Sequence, residues 1–397
     1  MRVAFFGYFF PFLSAGTSRL DDFTRILLKR GVKTSILSPI TIRKRAKLIE
    51  VHKGIYILRF PALSSRKVPV IGTLFSIVNS FTGCCMLNFL RKTDVVVFSI
   101  PPGETALGAI MACNLMNKPF VIDVRDPWED FKISTERGLS RLWYIILKKL
   151  YNKIYNDALF TTAVTQTVRS SLLRRGIKKV HLLPHGIDTK IFAPRSKIET
   201  RLQLGLNPKD FIIIYAGVLQ NYYRIDIPIK AVHKLISEKL IEDIGLLVIG
   251  WGPKLGEYAK LAKTLKLTKN VLFLGSKPRQ EIAEYLSCSD VGVIPLHCSM
   301  HQALTLKFHE YCSSRLPIIA SVPKGAPLAN QIEKWKVGLI VEPLNVEEMS
   351  QAIEFLYHNY GKRRDMGNNA RLYILNFREL EKITSRMWML LSKYLGT

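Results

Sequence analysis

The chain has 397 residues, too many for one ordinary hydrophobic core and about right for two domains of typical size. Its 48% hydrophobic and 22% charged residues exclude an intrinsically disordered protein. The 58 Lys and Arg residues exceed the 31 Asp and Glu residues by 27. This excess favours an anionic partner, whether nucleic acid, acidic lipid or a phosphorylated small molecule, and does not choose among them.

The six cysteines form no C-x-x-C pair and have no histidine cluster beside them at metal-ligand spacing. We therefore expect no disulfide framework, no metal site and a reducing, cytoplasmic compartment. The apolar residues 1–6 run straight into Gly7 and Pro11, without a basic leader or a small-residue cleavage site. This start predicts a first strand and not a signal peptide.

In the first half, short runs rich in β-branched residues alternate with helical segments such as residues 18–29 and 139–154. The runs show little inward and outward alternation, which is typical of strands buried on both faces. They lie at residues 3–6, 34–37, 56–60, 95–98, 120–124, 160–164 and 180–183. Repeated βαβ units of this kind predict a mainly parallel sheet with right-handed crossovers.

Residues 68–90 form an almost uncharged, mostly apolar segment with basic residues on both sides. The segment is long enough to span a bilayer, but Asn79, Ser80 and Asn88 weaken insertion. A span would also split one continuous α/β unit. The sequence therefore favours a helix that is buried or lies on a membrane, with a true span as the alternative.

The pattern breaks near residues 184–188 and turns polar as far as residue 208, apart from a short helical piece at 197–204. A second βα series then begins, with strands predicted at residues 211–216, 246–249, 271–274, 291–295, 317–320 and 338–341. We predict an α/β protein with a first domain at residues 1–193 and a second at 194–378. A final helix at 379–397 packs back on the first domain in this interpretation. Two open parallel sheets in tandem place a ligand cleft between their facing strand ends.

The most informative chemistry follows the strand predicted at residues 291–295. After a polar loop, a helix is predicted at 306–314 with Thr305 as its N-cap. Lys307 and Glu310 then share one helix face. A helix N-terminus offers unpaired amides and a positive dipole end, which suit a diphosphate, while Glu310 suits two ribose hydroxyls. The alternative is an ordinary amphipathic helix with solvated charges.

Two further candidates lie in the first half. Asp126 follows a buried strand and precedes Pro127, which suits a residue that orients an acceptor or a sugar; a loop-capping role is the alternative. Gly16, between the first strand and its helix, permits a close approach of the backbone to phosphates, although a plain turn glycine fits equally well.

Several segments together resemble family 4 glycosyltransferases, which are retaining enzymes of the two-Rossmann-domain GT-B fold. The run L-T-L-K-F-H-E-Y-C-S-S-R-L-P-I-I at 304–319 resembles their donor-binding segment. P-H-G-I-D at 184–188 resembles the interdomain motif of the family. Y-A-G-V-L at 215–219 and G-W-G-P at 250–253 resemble the first turns of the second domain. P-P at 101–102 and D-V-R-D-P-W at 123–128 resemble acceptor-side loops of the first domain.

The resemblance implies that Lys307 and Arg224 neutralise the diphosphate of a nucleotide-sugar donor without any metal or other cofactor. It also implies retention of configuration without a protein nucleophile. It further implies a donor site that includes the following residues: Gly16, Gly217, Arg224, Gly250, Gly252, Gln302, Leu304, Thr305, Lys307 and Glu310.

The chain departs from the family pattern at two positions. Val218 stands where many members have Arg directly after the glycine, and Gln302 stands where a paired carboxylate motif has Glu. Both departures concern the identity of the sugar more than the fold.

Three rival interpretations follow from the same residues. Gly250, Gly252 and Gly256 nearly match a dinucleotide fingerprint, but the third glycine is one residue late. A nucleic-acid-binding protein would account for the charge, yet the sequence has no zinc spacing, RRM motif or helix-turn-helix pattern. A nucleotide-sugar epimerase shares the two-domain architecture, and the pattern around Lys307 and Glu310 favours transfer.

The sequence as a whole thus predicts a GT-B glycosyltransferase that transfers a hexose-type sugar from a nucleotide sugar to a lipid-linked or cell-surface glycan. Basic clusters in the first half, beside the apolar residues 142–146, predict peripheral association with the anionic inner face of the cell membrane.

Overall fold

The computed structural model describes residues 1–7, 15–41, 47–62, 69–101, 103–126, 128–300 and 304–396. These residues form two compact units: Met1–Gly186 with Leu380–Thr397, and Ile187–Glu379. Each unit is an α/β structure built around one largely parallel sheet.

The first unit contains a sheet with the order β3-β4-β2-β1-β5-β6-β7-β8. Only the pairing of β3 with β4 is antiparallel among the described strands. All seven runs predicted from the sequence form strands. The sequence analysis missed β3, which has only four residues and lies at the edge of the sheet. The strands are β1 (Arg2–Phe6), β2 (Lys33–Thr41), β3 (Ile49–His52), β4 (Ile55–Ala62), β5 (Val95–Ile100), β6 (Phe120–Val124), β7 (Thr161–Ala163) and β8 (Val180–Leu182).

Helices cover both faces of this sheet and form two hydrophobic clusters with it. The helices are α1 (Ala15–Lys29), α2 (Pro69–Arg91), α3 (Gly103–Leu115), α4 (Trp128–Thr135), α5 (Gly138–Asp157), α6 (Gln166–Arg174) and α15 (Leu380–Leu395). On one face, α2, α3, α5 and α6 contribute buried residues to the same cluster. On the other, Ile383, Met387 and Leu391 of α15 pack with α1, β1 and β5. The last helix therefore belongs to the first unit, because it completes one face of that unit's core.

The segment at residues 68–90 forms most of α2. Among the described residues, α2 is the one helix that is long and apolar enough to cross a bilayer, by length and composition only. It nevertheless packs against α3 and β4, and Cys84 and Leu87 are fully buried in the first unit.

The second unit has a parallel sheet with the order β11-β10-β9-β12-β13-β14. All six predicted strands are present: β9 (Phe211–Ala216), β10 (Ile244–Ile249), β11 (Val271–Gly275), β12 (Val291–Pro295), β13 (Ile318–Ser321) and β14 (Gly338–Val341). The helices are α7 (Lys197–Gln203), α8 (Asp226–Lys239), α9 (Leu255–Thr264), α10 (Arg279–Cys288), α11 (Leu306–Ser313), α12 (Pro327–Trp335), α13 (Val346–His358) and α14 (Tyr360–Phe377). The strand order reverses at β9, where a parallel sheet binds its ligands.

The second unit begins at Ile187, ahead of the position after residue 193 that the sequence suggested. The Ile187 amide donates a hydrogen bond to the Arg378 carbonyl at 2.8 Å, at the end of the same unit. Phe192 is fully buried in the second core, and its carbonyl accepts hydrogen bonds from Ser313 and Arg371. These contacts attach residues 187–193 to the second unit.

Candidate functional site

The site in the second unit is built at the carboxyl ends of the central strands. Gly217 follows β9, Gly250 follows β10, and the loop after β12 leads to α11. The two glycine turns are held side by side, because the Gly217 amide donates to Ile249 at 2.8 Å and the Leu219 amide donates to Trp251 at 3.1 Å.

Both turns depend on glycine. Gly217 and Gly250 have φ of 150° and 142°, a region that side chains disfavour. A Cβ atom on Gly250 would overlap the Gly217 carbonyl oxygen, and one on Gly252 would overlap the Leu219 carbonyl oxygen. Gly217 in one turn, and Gly250 and Gly252 in the other, therefore allow the two turns to pack closely together.

Lys307 lies in the first turn of α11 and reaches these turns. A Cβ atom on Gly217 would overlap Lys307 Cε and Nζ, so the lysine occupies the space next to the glycine backbone. Its Nζ lies 4.0 Å from the centre of the Tyr223 ring and 5.3 Å from the centre of the Tyr215 ring. The ammonium is thus held over aromatic faces, which attract a cation.

Burial lowers the pKa of Lys307 to about 8, against the opposing effect of the Glu310 charge. In the described residues no carboxylate forms an ion pair with Lys307. A buried ammonium without a close counter-ion is costly to maintain, and an anionic ligand would remove that cost.

The N-terminus of α11 adds further polar groups. Thr305 occupies the predicted N-cap position, but its side chain makes no capping hydrogen bond. Its Oγ1 is buried and has no partner among the described residues. The helix therefore presents its amides and a free hydroxyl at the end where an anion binds best.

Glu310 lies one turn further along the same helix and is partly buried. Leu304 packs against the core just before the helix. Gln302 lies outside the described residues. The positions of Thr305, Lys307 and Glu310 on one helix agree with the prediction from their spacing.

Arg224, which the family resemblance assigns to the donor diphosphate, is paired with a carboxylate in the structure. Its guanidinium makes a bidentate ion pair with Asp226, at 2.8 Å and 2.7 Å, and these hydrogen bonds raise the pKa of Arg224. The Arg224 amide donates to the Pro295 carbonyl at the end of β12. The residue therefore lies beside the carboxyl end of β12, and Asp226 offsets its charge.

The sequence did not indicate the aromatic support of this site. The Tyr223 and Tyr215 rings meet edge to face at 5.6 Å between their centres, and Tyr215 donates a hydrogen bond to the Val218 carbonyl. The Tyr311 hydroxyl accepts a hydrogen bond from the Ala216 amide at 2.9 Å. Tyr311 lies four residues after Lys307, so spacing alone predicts that both lie on one face of α11. Its contact with Ala216 at the end of β9 was not predictable in this way.

In the first unit, Asp126 follows β6 and is exposed, and its carbonyl accepts a hydrogen bond from the Trp128 amide. No hydrogen bond to its carboxylate occurs among the described residues, so the loop-capping alternative has no support from a side-chain contact. Gly16 was predicted to lie between the first strand and its helix, but it lies within the first turn of α1, one residue after the helix begins.

The sequence analysis did not identify a buried ion pair between Arg19 and Asp123, which lies three residues before Asp126. The Arg19 guanidinium binds both carboxylate oxygens of Asp123 at 2.9 Å and donates to the carbonyls of Leu183 and Pro184. Burial alone would raise the pKa of Asp123, but Arg19 and Thr162 lower it below its usual range. The one sequence signal was a charged residue within the otherwise apolar strand β6.

No group of three or more His, Cys, Asp and Glu residues in the described parts of the chain is arranged to hold a metal ion.

Comparison with known proteins agrees with this geometry. Residues 17–191 match the sequence model described as Glycosyltransferase Family 4, and residues 196–373 match the model described as Glycosyl transferases group 1. The chain belongs to the family 4, group 1 glycosyltransferases, and its two Rossmann-like units have the GT-B fold. The predicted family and fold class are thereby confirmed.

Three curated relatives are similar at low identity. A GDP-mannose-dependent alpha-mannosyltransferase of Mycobacterium tuberculosis is 24% identical over 88% of this chain and 86% of its own length. A GDP-mannose-dependent alpha-(1-6)-phosphatidylinositol monomannoside mannosyltransferase of Mycolicibacterium smegmatis is 25% identical over 58% and 61%. A D-inositol 3-phosphate glycosyltransferase of Corynebacterium aurimucosum is 25% identical over 47% and 44%. The match thus spans less than half of that last relative.

Solved structures share the fold over the whole chain. A sucrose-phosphate synthase of Thermosynechococcus elongatus superimposes with a TM-score of 0.77 at 18% identity, covering 100% of this chain and 99% of that one. The HepE protein of Anabaena, in complex with UDP-glucose, gives 0.73 at 16% identity, covering 99% and 100%.

Proposed function

We propose that this protein transfers a hexose-type sugar from a nucleoside-diphosphate sugar to an acceptor, with retention of configuration. The observation that carries the proposal is the position of Lys307, held at the N-terminus of α11 against the Gly217 backbone. That arrangement supplies a cation, helix amides and the Thr305 hydroxyl to one small volume, as a diphosphate leaving group requires.

The chemistry needs no protein nucleophile. The bond between the anomeric carbon and the donor phosphate breaks while the acceptor oxygen bonds to the same carbon. The acceptor proton passes to the departing phosphate, whose new charge Lys307 and the α11 amides stabilise. One such contact is worth roughly 3 kcal/mol by analogy with oxyanion sites.

Each remaining residue has a role in this proposal. Glu310 binds hydroxyls of the donor ribose, and the glycine turns at 217, 250 and 252 let the backbone approach the donor. Arg224 supplies further positive charge near the diphosphate, reduced by its pairing with Asp226. Asp126 and Gly16, in the first unit, orient the acceptor and approach the donor phosphates. No metal or other cofactor takes part.

The acceptor in this proposal is a lipid-linked or cell-surface glycan, and the enzyme acts from the cytoplasmic face of the membrane. The names of the mannosyltransferase relatives, one of which acts on a phosphatidylinositol monomannoside, agree with such an acceptor. Helix α5 supports the location, because it exposes an apolar row at helical spacing beside basic residues. The row consists of Leu139, Leu142, Ile146 and Leu150, and the basic neighbours are Arg141, Lys149 and Lys153.

The residues on α5 differ from the sequence interpretation in one respect. Tyr144 was expected at the membrane surface, but it is 1% exposed and its hydroxyl donates to Glu104 at 2.9 Å. The exposed apolar row of α5 is therefore aliphatic.

The proposal is tested by incubating the protein with a panel of UDP-, GDP- and ADP-sugars, with and without EDTA. Thermal stabilisation and slow release of nucleoside diphosphate are then measured, since a true donor raises the melting point by mass action. Stabilisation by one donor that survives EDTA and is lost in Lys307→Ala and Glu310→Ala supports the proposal. Lys260→Ala, an exposed lysine of the same unit, serves as the matched control.

Two outcomes would overturn it. Conversion of the donor into its epimer, without transfer, would establish an epimerase. Absence of any donor effect together with salt-sensitive binding of RNA or DNA would establish a nucleic-acid-binding protein.

A further inference from the structure

Helix α2 buries several polar residues and exposes several large apolar ones. Thr73, Ser76, Ser80 and Asn88 are buried, and the last three donate hydrogen bonds to carbonyls of the same helix. The opposite face exposes large apolar side chains on both sides of the exposed Thr82, with Phe89 84% and Val78 62% exposed. This exposed apolar face consists of Leu74, Phe75, Val78, Met86, Phe89 and Leu90.

The inner face of α2 is fixed to the first unit. A Cβ atom on Gly108 of α3 would overlap the Ile77 carbonyl oxygen, so the two helices touch through their backbones. A Cβ atom on Gly83 would lie 3.2 Å from Leu37 of the sheet. Because α2 completes the core along its length, it cannot leave the fold to cross a bilayer without exposing that core.

A cationic pocket lies at the C-terminal end of α2. It has a volume of about 190 Å³ and is lined by Arg2, Lys33, Ser35, Leu90, Arg91 and Lys92. Arg2 is paired with Asp94, whereas in the described part of the chain no carboxylate forms an ion pair with Lys33, Arg91 or Lys92. Leu90 belongs both to the pocket and to the exposed apolar face, so the two features are continuous.

We propose that α2 lies in the plane of a bilayer that contains anionic phospholipid, with its apolar face at the boundary of the acyl chains. The cationic pocket then binds a phosphate of a lipid headgroup. A large apolar face beside basic residues is the pattern of interfacial helices. The inference deepens the proposed membrane location, and it does not depend on the reaction or the donor.

The charge of this surface argues for lipid over a second copy of the chain. A two-fold contact would place the same patch on both partners and bring the two sets of cations together. The sequence contains no Asp or Glu between residues 51 and 93 that could complement them. An anionic bilayer buries the apolar face in its acyl region and pairs the cations with headgroup phosphates.

The test is co-sedimentation of the full chain with vesicles of phosphatidylcholine, with and without phosphatidylglycerol. We expect binding that requires phosphatidylglycerol. The double variant Val78→Asp/Phe89→Asp should lose about tenfold or more in affinity, because charges are expensive at the acyl boundary. The variant Lys33→Glu/Lys92→Glu should lose the preference for the anionic lipid. Leu202→Asp/Leu372→Asp, at similarly exposed positions of the second unit, should bind as the original chain does.

Two further measurements separate the outcomes. Alkaline carbonate should release the bound protein, since an interfacial helix is released and a spanning helix is retained. Thermal stabilisation by the donor should be unchanged in the α2 variants, so a failure of the proposed function is distinguished from a failure of this inference. Vesicle binding unaffected by Val78→Asp/Phe89→Asp, or a stable dimer in solution that these changes dissociate, would overturn it.

Discussion

The Lys307 ammonium fills the space that a side chain on Gly217 would need: a Cβ atom there would overlap both Cε and Nζ of the lysine. Two residues 90 positions apart in the sequence therefore define one geometric constraint. The glycine allows the lysine to lie against the strand end, and the lysine gives the strand end its charge.

Replacement of Gly217 by Ala is expected to reduce kcat/KM by about tenfold to hundredfold, because it displaces the Lys307 ammonium from the leaving phosphate. The backbone φ of 150° adds strain to any side chain at this position. Steady-state kinetics with the identified donor measures the effect. Gly256→Ala is the control, since a Cβ atom there meets nothing within 4 Å outside its own stretch of helix. Equal kinetics in the two variants would contradict the constraint.

Lys307→Met should raise the melting temperature of the ligand-free protein at neutral pH while it abolishes donor binding. Burial lowers the pKa of Lys307 to about 8 from 10.5. At neutral pH the folded protein therefore holds a charged ammonium in a place that disfavours the charge, and this lowers the free energy of unfolding. The gain is about 1–3 kcal/mol. Between pH 8 and 10.5 the unfolded chain keeps the proton that the folded chain has lost, so stability from this group rises with pH and the advantage of Met shrinks. Differential scanning calorimetry of Lys307→Met and Lys260→Met across this range tests the prediction; a loss of stability at pH 7 specific to Lys307→Met would refute it.

Donor binding should take up a proton above pH 8. A diphosphate beside Lys307 favours the charged ammonium and raises its pKa from about 8, so donor affinity falls as the pH rises through that value in the free protein. Calorimetric titration in buffers of different ionisation enthalpy measures the proton uptake. In Lys307→Arg the charge persists, and the decline of affinity above pH 8 should disappear. An identical pH profile in that variant would contradict the assignment.

The pairing of Arg224 with Asp226 predicts opposite effects of two substitutions. Arg224→Ala should raise the KM for the donor, while Asp226→Asn should lower it, because the guanidinium is released from a bidentate carboxylate partner. Donor titrations at low and moderate salt measure both changes, with Lys239→Ala as a control at another ion pair of the unit. Equal weakening of donor binding by Asp226→Asn and Arg224→Ala would contradict the prediction. It would mean that the donor site needs the intact Arg224–Asp226 pair and not the Arg224 charge by itself.

Asp123→Ala should destabilise the first unit by about 3–5 kcal/mol, because it leaves the Arg19 charge buried without its partner. The double variant Arg19→Met/Asp123→Leu should recover much of this loss, since it removes both charges. Urea unfolding followed by a probe in the first unit measures the difference. Equal destabilisation in the single and double variants would mean that the hydrogen bonds of Arg19 to Leu183 and Pro184, and not the charge pair, stabilise the fold.

The order of strands and helices could be predicted from the sequence by itself, because each buried strand is a short β-branched run and each unit repeats the βαβ pattern. The helix that holds Lys307 and Glu310 was predictable for the same reason, since helical periodicity alone places them on one face. Strand β3 was not, because it has only four residues and its two apolar side chains, Ile49 and Val51, are exposed at the edge of the sheet.

Only the tertiary structure decided which side of each helix faces the core and which charges meet. The sequence of α2 is apolar nearly throughout, and no periodicity shows that its serines face inward and Phe89 outward. Arg19 and Asp123, and Lys307 with Tyr215 and Tyr223, come together through contacts between elements that are distant in the chain. Arg224 and Asp226 are two residues apart, but the sequence does not show that their side chains pair. Local patterns determine the elements because their causes lie within a few residues, whereas burial and ion pairing depend on how the sheet brings distant segments together.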